Sequence, residues 1–347
     1  MAPLFRRRKG EALDIQFKST GIYLAEIDLW LDPAEGVAAA WLSHGHSDHA
    51  RGLHGQVWAT PQTLDFYGVR WPQPDRAAYR QAVDFGESFA WRGARCTALP
   101  AGHILGAAQL LIEYEEERIV YTGDIKLRTP LCGAATEIIE CDRLIIECTF
   151  GLPIYHFLEQ DEAARRVVAF ARECLDEGVS PVFYGYALGR GQEIAHVLCR
   201  SGIPVAVHGA VARFIPFYER AGYAFDGWQP YDAKRTRNSG GGGQALVVTP
   251  GMRDALEATG KNFRVAYVSG WAGLANARAR VGAEELIPYS DHGDFGELVQ
   301  MIERSGASRV DLVHGYTEPF ARILRQRGIQ AYAAGALSEP EDDGRQE

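Results

Sequence analysis

Short apolar runs, each closed by Gly, Asp or Pro, fill the first 150 residues. From about residue 158 such runs alternate with amphipathic helices. Alternation predicts a strand pair over 21–32 (GIYLAEIDLWLD), ended by Asp32 and Pro33, then strands over 37–42 (VAAAWL) and 57–59. A helix is predicted over 60–67, with Thr60 as cap and Pro61 in the first turn. Strands follow over 94–100, 109–114, 118–121 and 143–147, the middle two joined by a charged turn at 115–117. Residues 161–177 place Ala164, Val167, Val168, Ala171, Cys174 and Leu175 on one helical side. Strands over 181–184, 204–207, 245–249 and 264–269 then alternate with helices over 191–200, 210–221 and 252–259, the signature of βαβ units and a parallel sheet. Strands 285–289, 310–313 and 330–333 and helices 295–305 and 318–327 close the chain, and no fixed-period repeat is present.

The ends of these strands carry the chemistry. Residues 43–52 read SHGHSDHARG, with His44, His46, Asp48 and His49 within six positions. A lone histidine is usually a core or surface hydrogen-bonding residue. Four such groups so close together are instead a ligand set for zinc, with manganese or iron as alternatives. The cluster cannot complete two metal shells alone, so further ligands must end other strands. His103 and Asp124 fit, each beside glycine just past an apolar run, and so do His292 and His314. Asp28 and Asp32 are candidates to support the site, Asp32 being better placed at a strand end before a turn. Glu147 ends strand 143–147 as either a structural carboxylate or part of the site.

At 347 residues the chain implies two domains, or one with a large insertion. The net charge of −9 argues against a surface coated for non-specific nucleic-acid binding without excluding a nucleic-acid enzyme, because the acidic tail 338–347 supplies −4 of it (five acids, one Arg). That tail is expected to be disordered. Six cysteines without a CxxC pair suit buried, reduced thiols in a cytosolic protein. The N-terminal MAPLFRRRKG lacks the apolar stretch of a signal peptide, and no run reaches membrane-spanning length; a cytoplasmic, membrane-free protein is expected.

Together these segments resemble the metallo-β-lactamase superfamily, through His44-x-His46-x-Asp48-His49, His103 and Asp124. Four more segments resemble its β-CASP nuclease branch: IIECTFG around Glu147, YALGRGQE at 186–193, YSDHGD around His292 and VHG around His314. LPIY (152–155), SGW (269–271) and YSDHGDFGEL (289–298) are similar to the bacterial ligase-associated DNA exonuclease family. The resemblance implies an α/β (α+β) fold: an αββα sandwich over 1–155 and 284–337, with a β-CASP domain inserted over 156–283 that holds a mainly parallel sheet flanked by helices. It implies two divalent ions, zinc or alternatively manganese. His44, His46, His103 and Asp124 would hold the first ion; Asp48, His49, Asp124 and His314 would hold the second, with Asp32 orienting the cluster. His292, supported by Glu147, would protonate the leaving group. Arg190, Lys234, Arg235 and Arg237 would line a nucleic-acid groove. The implied activity is DNA exonuclease cleavage in repair, beside a DNA ligase and a helicase. An RNA-processing nuclease of the ribonuclease J type is the alternative. A thioesterase- or lactonase-like hydrolase would not need Glu147, His292 or the insertion, and an inactive scaffold would have lost ligands.

Overall fold

A computed structural model describes residues 12–72, 79–232, 243–260 and 262–334. Two mixed sheets pack face to face. The first orders its strands Ile15–Lys18, Gly21–Leu24, Leu29–Leu31, Ala39–Trp41, Gln56–Ala59 and Arg80–Ala82; the first three pair antiparallel and the rest parallel. The second runs Ala331–Ala333, Arg309–Gly315, Arg143–Cys148, Glu117–Tyr121, Ala108–Tyr114, Ala94–Pro100 and Ser88–Trp91. Its first four strands are parallel and the remainder antiparallel.

The two-residue side-chain period of these strands builds three layers of core at once. Leu24, Leu31, Trp41, Leu110, Ile112, Tyr121 and Ile145 meet between the sheets. Their neighbours Ala40, Leu42 and Val57 turn outward onto helix Pro61–Arg70. Val120, Leu144, Ile146 and Leu312 turn outward onto helices Phe295–Ser305 and Thr317–Gln326.

A third, wholly parallel sheet orders strands Gln229–Pro230, Val205–Val207, Ala245–Val248, Ser180–Tyr184, Phe263–Val268 and Glu285–Ile287. Helices Gln160–Asp176 and Arg190–Arg200 cover one face through Val167, Phe170, Ile194 and Leu198. Phe150, Tyr155 and Trp271 cover the other.

Strand Glu285–Ile287 pairs with Phe263–Val268 in the third sheet. Two expectations need correction. Residues 210–221 form two short helices, Gly209–Ala212 and Ile215–Arg220, because Pro216 has no N–H to continue a helix and fits only in a first turn. Strands Ile15–Lys18, Arg80–Ala82 and Ser88–Trp91 were not foreseen; they sit at or near sheet edges, where the apolar signal is weakest. The acidic tail lies outside the described residues. Among the described residues, no helix is long and apolar enough to cross a membrane.

Candidate active site

The two packed sheets deliver their chemical residues at one edge. Asp32 follows Leu29–Leu31, and Ser43–His49 follows Ala39–Trp41. His103 follows Ala94–Pro100, Asp124 follows Glu117–Tyr121, and Glu147 and His314 lie at the ends of the parallel strands Arg143–Cys148 and Arg309–Gly315. Close approach is built into the backbone. A Cβ on Gly123 (φ +56°) would sit 2.5 Å from the Ser43 Cβ, so only glycine brings Asp124 this near the histidine loop. Asp32 (φ +44°) and His314 (φ +54°) both hold left-handed backbone, which is uncommon outside glycine and gathers at functional positions.

Asp32 is the anchor of the loop. Its carboxylate accepts from the Ser43 backbone N–H (2.7 Å), the Ser43 hydroxyl, the Tyr121 hydroxyl (2.8 Å) and His49 Nδ1 (2.7 Å). With Nδ1 committed, His49 turns Nε2 toward Asp48 and Asp124, at 3.4 Å from each. His44 Nδ1 lies 3.0 Å from the Ser43 hydroxyl; its buried Nε2 has no hydrogen-bond partner among the described residues and lies 3.3 Å from Asp124 Oδ2. His46 Nδ1 and His103 Nε2 face each other at 3.0 Å, and His103 Nε2 lies 3.6 Å from Asp124. One donor atom each from His44, His46, His103 and Asp124 falls within 4.8 Å of the others. Four converging donors of this kind fit a divalent metal ion.

The electrostatics agree with that use. Burial holds His44, His46 and His103 neutral by pushing their pKa values down, and burial with the His49 charge drops His314 to about 4. Neutral imidazoles are what a metal requires. Burial raises the Asp124 carboxyl, against the pull of the His49 charge. For His49, burial works to lower the value, but Asp124, Asp48 and Asp32 outweigh it and raise it. Asp48 is the exposed member, with its side chain 42% accessible. The His314 ring packs 5.2 Å from that of His49.

A separate pair stands beside this cluster. Glu147, fully buried, accepts from the backbone N–H groups of Ile125 (3.2 Å) and Thr149 (2.9 Å) and from His292 Nδ1 (2.8 Å). Burial alone would discharge His292, yet the adjacent Glu147 and Asp124 charges lift it to about 10. His292 Nε2 points toward Asp124 at 3.9 Å. His292 thus keeps Nδ1 on Glu147 and directs Nε2 toward Asp124.

Other residues fall elsewhere. Asp28 pairs with Arg92 and Tyr23 on the surface side of its turn, away from the cluster. Arg190, expected along a groove, is 4% exposed and lies 3.7 Å from Asp291, so its charge faces protein. Lys234, Arg235 and Arg237 lie outside the described residues. Two contacts had no signal in the sequence: the Tyr121 hydroxyl on Asp32, and Asp291, whose backbone carbonyl lies 2.9 Å from His103 Nδ1. Burial raises the Asp291 carboxyl, but the Arg190 charge prevails and holds it well below the usual range.

No family model matches the chain. A probable DNA ligase of Opitutus terrae is 32% identical over 327 residues, which is 93% of this chain and 31% of that protein. An RNase J-like protein of Methanocaldococcus jannaschii is 27% identical over 211 residues, 53% of this chain and 50% of that one. Further matches are named as cleavage and polyadenylation specificity factor subunits and endoribonucleases. The chain thus spans between 14% and 50% of the length of the curated relatives it matches. A crystal structure of a protein of unknown function from Enterococcus faecalis shares the fold, with a TM-score of 0.54 at 16% identity over 79% of this chain and 74% of that one. With these relatives and this cluster of histidines and aspartates, the chain is similar to the β-CASP nucleases of the metallo-β-lactamase superfamily.

Proposed function

We propose that the protein is a metal-dependent phosphodiesterase that degrades nucleic acid from an end, with DNA as its substrate. The observation that carries this reading is the placement of the Glu147–His292 pair beside Asp124 and the buried histidines. A metal hydrolase needs a ligand cluster; a phosphodiesterase also needs a proton for the departing sugar oxygen, and His292 is held ready to give one. The metallo-β-lactamase unit is assigned to residues 1–155 and 288–337, and the β-CASP insertion to 156–287.

His44, His46, His103 and Asp124 would hold one ion, and Asp48, His49, Asp124 and His314 a second; the nitrogen-rich set suits zinc, with manganese as the alternative. Bound there, the ions would supply Lewis acidity toward the phosphoryl group and lower the pKa of the attacking water. The protein's own groups do the rest. Asp32 keeps His49 in one tautomer. Glu147 orients His292 and stabilises its charged form. As a hydroxide, its proton already lost to solvent, joins phosphorus and the bond to the sugar oxygen breaks, His292 Nε2 donates its proton to that oxygen, leaving a phosphate monoester and a free hydroxyl.

The DNA reading draws support from the Opitutus terrae relative, named a probable DNA ligase, and extends to a role alongside a ligase and a helicase in repair. RNA is the second reading, supported by the RNase J-like relative. Matched, end-labelled single-stranded DNA and RNA offered to the metal-loaded protein decide between them. Faster loss of DNA supports the proposal, equal loss removes the DNA assignment, and no cleavage of either removes the nuclease.

A further inference from the structure

The segment 186–193 (YALGRGQE) belongs to the third-sheet unit, yet it reaches the histidine cluster. The Leu188 backbone carbonyl lies 2.9 Å from His46 Nε2, and the Tyr186 ring packs edge-on against the His46 ring at 5.0 Å. A carbonyl can only accept, so His46 must carry its proton on Nε2 and present the lone pair of Nδ1 inward, where it faces His103 Nε2.

His103 is fixed in the same way one step further out. Its Nδ1 lies 2.9 Å from the Asp291 backbone carbonyl, which commits Nδ1 to donation and leaves Nε2 inward. Asp291 is 1% exposed, and neither carboxylate oxygen has a hydrogen-bond partner among the described residues. A buried carboxylate of that kind is costly unless a charge faces it. Arg190 does, with Nε 3.7 Å from Asp291 Oδ1. Gly189, at the cap of helix Arg190–Arg200, closes the wall: a Cβ there would lie 3.0 Å from Asp291 Oδ2 and 2.6 Å from Ile104 Cγ2. Arg190 and Asp291 are thus two buried charges that hold the turn at 186–190 against the loop that carries Asp291 and His292.

We propose that the inserted unit is a wall of the metal centre: its turn at 186–190 fixes His46 through the Leu188 carbonyl and fixes His103 through Arg190 and Asp291. Arg190 and Asp291 are then positioning residues for metal ligands. This inference rests on the metal reading above. Partners that orient metal-bound histidines typically change metal affinity about 10–100-fold when removed.

The test is zinc affinity of the full chain, stripped and titrated in competition with a coloured chelator. Arg190→Gln should bind zinc about 10–100-fold more weakly, with Arg190→Lys recovering part of the loss. Gly189→Ala, which pushes the turn off Asp291 without removing a charge, should also weaken binding. Nitrogen-15 spectra of the zinc-loaded wild type supply a readout that needs no variant: His46 should be protonated on Nε2 and His103 on Nδ1. Wild-type zinc affinity in folded Arg190→Gln and Gly189→Ala, or a His46 proton on Nδ1, would overturn the inference alone. A wild-type chain that takes up no zinc or manganese would overturn the metal reading and this inference with it.

Discussion

His292 Nδ1 lies 2.8 Å from Glu147 Oε1, 145 positions away in the sequence, with its Nε2 3.9 Å from the Asp124 carboxylate. The pair separates two jobs that share one edge of the fold. His44, His46, His103 and Asp124 converge as one group of donors; His292 and Glu147 also come within reach of Asp124, but His292 Nδ1 is tied to Glu147. Glu147→Gln should therefore retain metal while losing about 10²–10⁴-fold in cleavage, the usual contribution of a general acid. His292→Ala should behave the same way, and Asp124→Ala should lose both. Metal content and cleavage rate measured on the same preparations check this; loss of metal in His292→Ala would refute the division of labour.

Asp32 accepts four hydrogen bonds in a buried setting. Asp32→Asn swaps an acceptor for a donor, which cannot satisfy the Ser43 and Tyr121 groups and His49 together. Stability of the metal-free protein should fall by about 1–3 kcal/mol, the cost of stranding buried polar groups. Zinc affinity should fall by about 10–100-fold. Urea unfolding and chelator competition read the two effects separately.

Arg128 binds Asp294 through Nη2 (2.8 Å), Glu297 through Nη1 and Glu159 through Nε (2.9 Å). Asp294 and Glu297 form the capping box of helix Phe295–Ser305, and Asp294 also accepts from the Phe157 backbone N–H. One guanidinium therefore joins the helix start, two residues past His292, to the segment leading into helix Gln160–Asp176. Arg128→Ala leaves two nearly buried carboxylates without it, and should cost about 3 kcal/mol. An unchanged urea midpoint would show that the clamp contributes nothing to stability.

All six cysteines are buried. Burial lifts Cys141, Cys174 and Cys199 to about 11 and Cys96 to about 12, against 9.0 for an ordinary thiol, and raises Cys132 and Cys148 further. A raised pKa means that the folded state keeps protons the unfolded chain gives up. The associated stability is present below the unfolded value near 9.0 and is lost as pH rises through 11 to 12. The urea midpoint should fall over that window. At pH 8 a thiol reagent should label none of the six until the protein is unfolded.

The strand-end residues were legible because each is marked locally by an apolar run: His103 and Asp124 follow the run and a glycine, His314 stands between the run and a glycine, and Glu147 ends the run itself. All four stand at strand ends. The contacts around them were not legible, because each joins distant segments without a local mark. Tyr121 reaches Asp32 across 89 positions and Leu188 reaches His46 across 142. Arg190 shows the same limit from the other side. The resemblance suggested that it lines a nucleic-acid groove, whereas the fold buries it against Asp291.

The most direct measurement is cleavage of end-labelled single-stranded DNA by the chelator-stripped protein, before and after zinc or manganese is restored. The account predicts no cleavage when stripped and full cleavage on restoration of either ion, with mononucleotides released progressively from an end. Undiminished cleavage by the stripped protein, or none by the restored one, would contradict it.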